Sequence, residues 1–145
     1  MTEPNVLARQ CADAMWDDDA ASRGLGMTPD HVTAGRARMS MLVRAEMVNG
    51  HGLCHGGFIF ALADSAMAFA ANSHGERAVA HHNNITYIRP GRLGEMLAAE
   101  AEERSRSGRS GIYDVRVTGS SDGAVVAEFR GRARLSGGRF FTDAT

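Results

Sequence analysis

The chain has 145 residues, 43% of them hydrophobic, and a formal net charge of -1. That is enough apolar chain for one globular domain with a real core, and so small a charge argues against a general binder of nucleic acid or other polyanions. The start, Met-Thr-Glu-Pro-Asn, shows no basic region followed by an apolar stretch, and no segment is long enough to cross a membrane; a cytoplasmic protein is expected.

Two cysteines, Cys11 and Cys54, stand far apart without metal-ligand spacing, so neither a disulfide framework nor a cysteine metal site is expected. All 16 basic residues are arginine. Coding bias accounts for this, yet it has a physical consequence: any phosphate must be held by arginine, backbone donors or hydroxyls.

Apolar residues at helical spacing (Val6, Leu7, Cys11, Met15) predict an N-terminal helix over about residues 3–17. Asp17, Asp18 and Asp19 read as its solvated end rather than as a metal site, and Ala21 to Gly26 as a loop. From Met27 to Met47 the period changes to two. Ala37, Met39, Met41 and Val43 share one face, and Arg36, Arg38, Ser40 and Leu42 the other, as in a half-buried strand or hairpin.

Next comes a nearly unbroken apolar or small run, Phe58 to Ala71, preceded by His55-Gly56-Gly57 and interrupted by Asp64 and Ser65. A helix apolar on every side is buried on every side, so this one is expected at the centre of the fold. Burying an ionised aspartate costs several kcal/mol unless it is partnered. Asp64 is therefore the first candidate for chemistry, against the plain reading that it bonds a neighbouring strand or meets solvent.

Glu76-Arg77 reads as a turn, Val79 to Ile88 as a strand ending at Pro90-Gly91, and Leu93 to Arg104 as a segment whose composition suits a helix. Ser105 to Ser110 reads as a turn, and Gly111 to Thr118 alternates as a strand. Ser120 to Gly123 carries a hairpin signal. Val125 to Ser136 alternates Val125, Ala127, Phe129, Ala133 and Leu135 against Glu128, Arg130, Arg132 and Arg134; a tail is expected from about residue 137. No repeat, linker or second domain is visible, so residues 1–145 read as one α+β domain, a single antiparallel sheet wrapped around one helix.

The glycines at the helix start leave backbone N–H groups open, and helix N-termini carry unpaired donors with a positive partial charge, suited to a developing oxyanion. A tight turn is the plainer use of glycine there. Asp64 lies eight residues beyond Gly56, about 12 Å along a helix axis. A donor and a base or nucleophile must each come within about 3 Å of one carbonyl. Two such helices packed antiparallel across a two-fold axis would meet that need, which predicts a dimer with two shared sites.

Asn49-x5-His55-Gly56-Gly57-x6-Asp64 resembles the motif of the hotdog-fold acyl-CoA thioesterases, and most closely their phenylacetate-pathway (PaaI-type) branch. Val48-Asn-Gly-His, Phe60-Ala-Leu-Ala-Asp64, Ala70-Ala-Asn-Ser73, Ile88-Arg-Pro-Gly91 and Gly111-Ile-Tyr-Asp114 extend the resemblance over nearly the whole chain. It implies the hotdog fold, a strand rather than a helix at Leu93 to Arg104, and hydrolysis of phenylacetyl-CoA or a ring-hydroxylated relative in aromatic catabolism. It also implies a dimer paired into a tetramer, and coenzyme A as part of the substrate, with no separate cofactor or metal.

On that resemblance Asp64 attacks the thioester carbonyl or activates water, and the Gly56 N–H polarises the carbonyl. His55 orients the thioester or merely caps the helix; Asn49 holds the water or Asp64. Gly57, Arg89, Arg106, Arg109 and Ser110 are candidate coenzyme A contacts, against the plain reading of solvated surface arginines. Phe58, Phe60, Met67 and Phe69 are possible acyl-pocket linings or simply core. His51 and His55 lie on a glycine-broken loop without a third ligand, so zinc is not expected. Two alternatives remain open: a hotdog hydratase or dehydratase, and a non-catalytic acyl-CoA-binding protein.

Overall fold

The computed structural model describes residues 2–141. Helix α1 spans Pro4–Asp18 and starts with proline in its first turn, where a missing N–H costs nothing; the Glu3 carboxylate accepts from Asn5 N and Val6 N. A second helix, α2 (Ala20–Gly24), stands where a loop was expected. Asp19 makes it possible: its side chain accepts from Ser22 N and caps the turn, so the acidic run ends one helix and starts another.

Strands β1 (Thr28–Thr33) and β2 (Arg36–Leu42) form the anticipated hairpin, with Ala37, Met39 and Met41 buried and Arg36 and Arg38 outward. Helix α3 is Gly56–Ala71, followed by β3 (Glu76–Tyr87), β4 (Met96–Ser107), β5 (Ser110–Gly119) and β6 (Val125–Arg139). The strands make one antiparallel sheet in the order β1-β2-β4-β5-β6-β3, with α3 packed on one face. Leu62, Met67 and Phe69 of the helix interlock with Met39, Met41, Leu97, Val115, Val117 and Val126 of the sheet to form the core. This is the hotdog architecture.

Three boundaries differ from the sequence reading. Glu76 and Arg77 already belong to β3, and β4 runs to Ser107, so the β4–β5 turn is only Gly108-Arg109. The expected tail is strand as far as Arg139, because Glu76 pairs with Arg139, Phe140 N donates to Gly75 O, and the Arg77 guanidinium lies over the Phe140 ring. Residues 142–145 of that tail lie outside the described residues. Helix propensity at Met96 to Arg104 loses to pairing on both sides, with β2 and β5, which puts Leu97, Ala99 and Ala101 in the core.

α3 is not buried all round. Ile59, Leu62, Ala63, Ala66, Met67 and Phe69 are buried, whereas Gly57 is exposed and Phe60, Ala61, Asp64 and Ala68 are only partly covered. Those last five form a stripe at helical spacing along the helix. Beside it runs β3, bonded to β6 on one side; its other edge pairs with no strand among the described residues.

Candidate active site

The site starts from the loop before α3. Asn49 Oδ1 accepts from His51 N and Leu53 N, and its backbone N donates to Leu53 O, closing a tight loop. Cys54 N then donates to Gly91 O and His55 N to Met47 O, which ties the loop to the segment after β3. His55 is the N-cap: its Nδ1 accepts from Gly57 N at 2.9 Å. An accepting Nδ1 puts the proton of the neutral ring on Nε2, leaving a donor on an exposed residue. Gly57 must be small for this, since a Cβ there would sit 3.0 Å from His55 Nδ1.

The Gly56 N–H has no acceptor among the described residues, while its carbonyl accepts from the Tyr87 hydroxyl at 2.9 Å. A free N–H at the start of a 16-residue helix is a donor aimed along a favourable dipole. Two turns on, Asp64 Oδ1 accepts from Asn83 Nδ2 at 2.9 Å. Burial pushes the Asp64 carboxyl above the usual carboxylate range, and the Asn83 bond opposes this only in part. A carboxylate with raised proton affinity and one uncommitted oxygen suits a general base or a nucleophile.

The structure thus brings His55, Gly56 and Gly57 together on one helix end, with Asn49 bracing the loop behind them. Within the chain the amide that reaches Asp64 is Asn83, and the Asn49 oxygen is committed to its own loop. Arg89 must be reassigned. Its guanidinium is engaged by Glu95 through two bonds of 3.0 and 2.7 Å and by Asp122 at 2.7 Å, and its side chain is only 14% exposed. It is an internal ion-pair partner, unavailable to a phosphate.

Arg106 and Arg109 are exposed near the β4–β5 turn, the former 3.7 Å from Glu103 and the latter donating to Leu135 O, with Ser110 opening β5 beside them. In the same chain they lie beyond the C-terminal end of α3, away from Gly56. Met67 and Phe69 are fully buried, Phe69 tilted against Trp16, so they serve the core; Phe58 and Phe60 are partly open beside the site. Burial raises the Cys54 thiol, disfavouring its thiolate.

The sequence reading missed Asn83, Tyr87 and Glu95. Asn83-Asn84 inside a strand was a usable signal, because asparagine is depleted in strands and wants a reason to be there.

Fold and geometry place the chain in a definite class: residues 51–126 match the thioesterase superfamily, and the chain belongs to that family as a thioester hydrolase. Among individual relatives, it is 40% identical over 137 residues to the acyl-coenzyme A thioesterase PaaI of Escherichia coli K12, covering 94% of this chain and 97% of that one. The solved structure of the Escherichia coli PaaI protein, from the phenylacetic acid degradation operon, superposes with a TM-score of 0.92 at 39% identity, over 94% of this chain and 99% of that chain. A Streptococcus mutans protein solved with acetyl CoA bound matches with a TM-score of 0.69 at 27% identity, over 73% of this chain and 85% of that chain.

Proposed function

We propose that the protein hydrolyses acyl-CoA thioesters of the aryl-acetyl class, phenylacetyl-CoA or a ring-hydroxylated form, to the free acid and CoA, in the cytoplasm. The observation that carries the reading is the pair on α3: an unpaired N–H at Gly56 and, eight residues on, a half-buried carboxylate at Asp64. The close relation to an acyl-CoA thioesterase of phenylacetic acid degradation supports the acyl class.

In this reading the Gly56 N–H binds the thioester oxygen and favours the tetrahedral adduct. Asp64 acts through its free oxygen, either taking a proton from the attacking water or adding to the carbonyl itself. In both cases the C–S bond breaks, the CoA sulfur leaves and takes up a proton, and one water is consumed. His55 Nε2 is a donor placed to hold the ester or its leaving sulfur, and Phe58 and Phe60 flank the acyl group. Arg106, Arg109, Ser110 and the open Gly57 are the remaining coenzyme A contacts, and no cofactor or metal is required.

Asp64 and Gly56 of one chain stand about 12 Å apart along the axis, too far to share one carbonyl. Two features support completion by a second copy. The half-open stripe through Phe60, Ala61, Asp64 and Ala68 leaves room for an antiparallel helix. Among the described residues β3 has a free edge, and Val79, Tyr87 and Ile88 near it are 57%, 47% and 56% exposed. The dimer, paired further into a tetramer, is one hotdog domain per chain over residues 1–145.

The test is thiol release from a panel of acyl-CoAs including phenylacetyl-CoA, for the parent and for Asp64→Ala. Turnover that is highest on aryl-acetyl esters and falls by about 10²- to 10⁴-fold in the variant, with ester binding retained, supports the reading. A variant as active as the parent overturns it, and binding without hydrolysis of any ester turns it into a sensor.

A further inference from the structure

The polar side chain that meets Asp64 comes from the middle of β3. Asn83 donates from Nδ2 to Asp64 Oδ1, and its own Oδ1 is buried with no hydrogen-bond partner. Its neighbour across the sheet is Gly131, and a Cβ at Gly131 would collide with Asn83 Oδ1 and with Met67 Sδ. A glycine in the interior of a strand makes the room that this amide occupies. An orphaned buried acceptor is a cost that leucine at the same position would avoid. The asparagine is thus poorly explained by stability and well explained by what its N–H does.

The register of β3 on α3 sharpens the point. The four residue steps from Asn83 to Tyr87 span about 13 Å of strand, and the eight steps from Gly56 to Asp64 span about 12 Å of helix. The strand therefore touches the helix at both of its chemical positions, with Tyr87 on the Gly56 carbonyl and Asn83 on the Asp64 carboxylate.

We propose that Asn83 is a positioning residue for the hydrolysis: it fixes one oxygen of Asp64 so that the other faces the thioester. The proposal rests on Asp64 being the acting carboxylate. Its second effect is on ionisation. No charged side chain among the described residues pairs with Asp64, so within the chain its proton affinity answers to burial, which raises it, and to Asn83, which lowers it. Any group that a second copy would bring beside Asp64 is common to parent and variant.

The experiment compares the parent with Asn83→Leu, Asn83→Ser and Asp64→Ala on whichever acyl-CoA ester the parent turns over best. For Asn83→Leu the expected result is a kcat lower by roughly 10- to 100-fold, a KM within about threefold of the parent and an unchanged or higher Tm. The acid limb of its kcat–pH profile moves to higher pH, because the bond favouring the charged form is gone. Added to Asp64→Ala, the same substitution costs nothing further. Asn83→Ser, which keeps a donor in a smaller side chain, recovers part of the rate and is the reference if the leucine variant fails to fold.

A folded Asn83 variant with parental kcat and an unmoved acid limb overturns the inference, as does a rate loss that persists unchanged in the Asp64→Ala background. If Asp64→Ala itself is fully active, the underlying assignment has failed instead, and the two failures are distinguishable.

Discussion

Asp64 and Glu95 are both carboxylates withdrawn from water, and their surroundings could hardly differ more. Glu95 is 5% exposed and surrounded by donors: Arg89 through two nitrogens, Ser121 through its N and Oγ, and Arg92 N. The Arg89 guanidinium and these donors hold its carboxyl at about 2. Among the described residues Asp64 has one amide bond and no cation, and its proton affinity rises. A buried charge whose partners all lie in its own chain fixes structure, here the turn after β3 against the β5–β6 turn. A buried charge left short of partners is held ready for something that binds.

The contrast breaks if the two residues respond alike to substitution. Removing the Asp64 carboxylate is expected to cost turnover and nothing in folding; removing that of Glu95 is expected to do the reverse. Glu95→Ala strips a guanidinium of its main partner, and the loss should be about 3–5 kcal/mol, read from urea unfolding. Asp122, 2.7 Å from Arg89, limits the damage toward the lower figure.

Acid titration gives a smaller effect of known sign. The Glu95 carboxyl is lowered from 4.5 to about 2, so its stabilisation of about 3 kcal/mol is fully present above pH ~4.5 and is lost as the pH falls toward ~2. The parent should show that loss in stability measured against pH, and a chain lacking Glu95 should not.

The smallest expected effect has the opposite direction. Because Asp64 binds its proton more tightly when folded, ionising it weakens the fold as the pH rises past the ordinary carboxylate range. Asp64→Asn should then raise Tm at neutral pH by about 1–3 °C while abolishing most of the turnover. A lower Tm would mean that the carboxylate is a structural partner, as Glu95 is.

The central helix, the sheet and the Asp64/Gly56 pair were legible because each leaves a local mark: an apolar run broken by one acid, alternation of period two, and glycines before a helix. The residues that were misread take their roles from partners distant in sequence. Arg89 looked like a surface cation at a strand end, and only the fold brings Ser121 and Asp122 to it. The α2 helix is held by Asp19 and by contact between Ser22 Oγ and Ser65 Oγ at 2.8 Å, which no propensity records. Strand β6 outlasts its alternation because Glu76 waits opposite Arg139. Asn83 was readable as an anomaly within a strand, although its target, 19 residues earlier, was not.

The account stands on Asp64 finding its missing partner in a second copy, and mixing two inactive chains tests this directly. Asp64→Ala keeps the Gly56 donor. Gly56→Pro removes that N–H at the first position of α3, a position that favours proline, after a His55 already in the extended conformation a following proline needs (φ -60, ψ 132); the Tyr87 side chain, 3.0 Å from where a Cβ would stand, must shift to admit the ring. Each variant alone should be nearly silent in thiol release. Refolded together from denaturant, they should regain about a quarter of the parental rate, since half the dimers are mixed and each mixed dimer carries one intact site. A mixture as silent as its components would contradict the shared site.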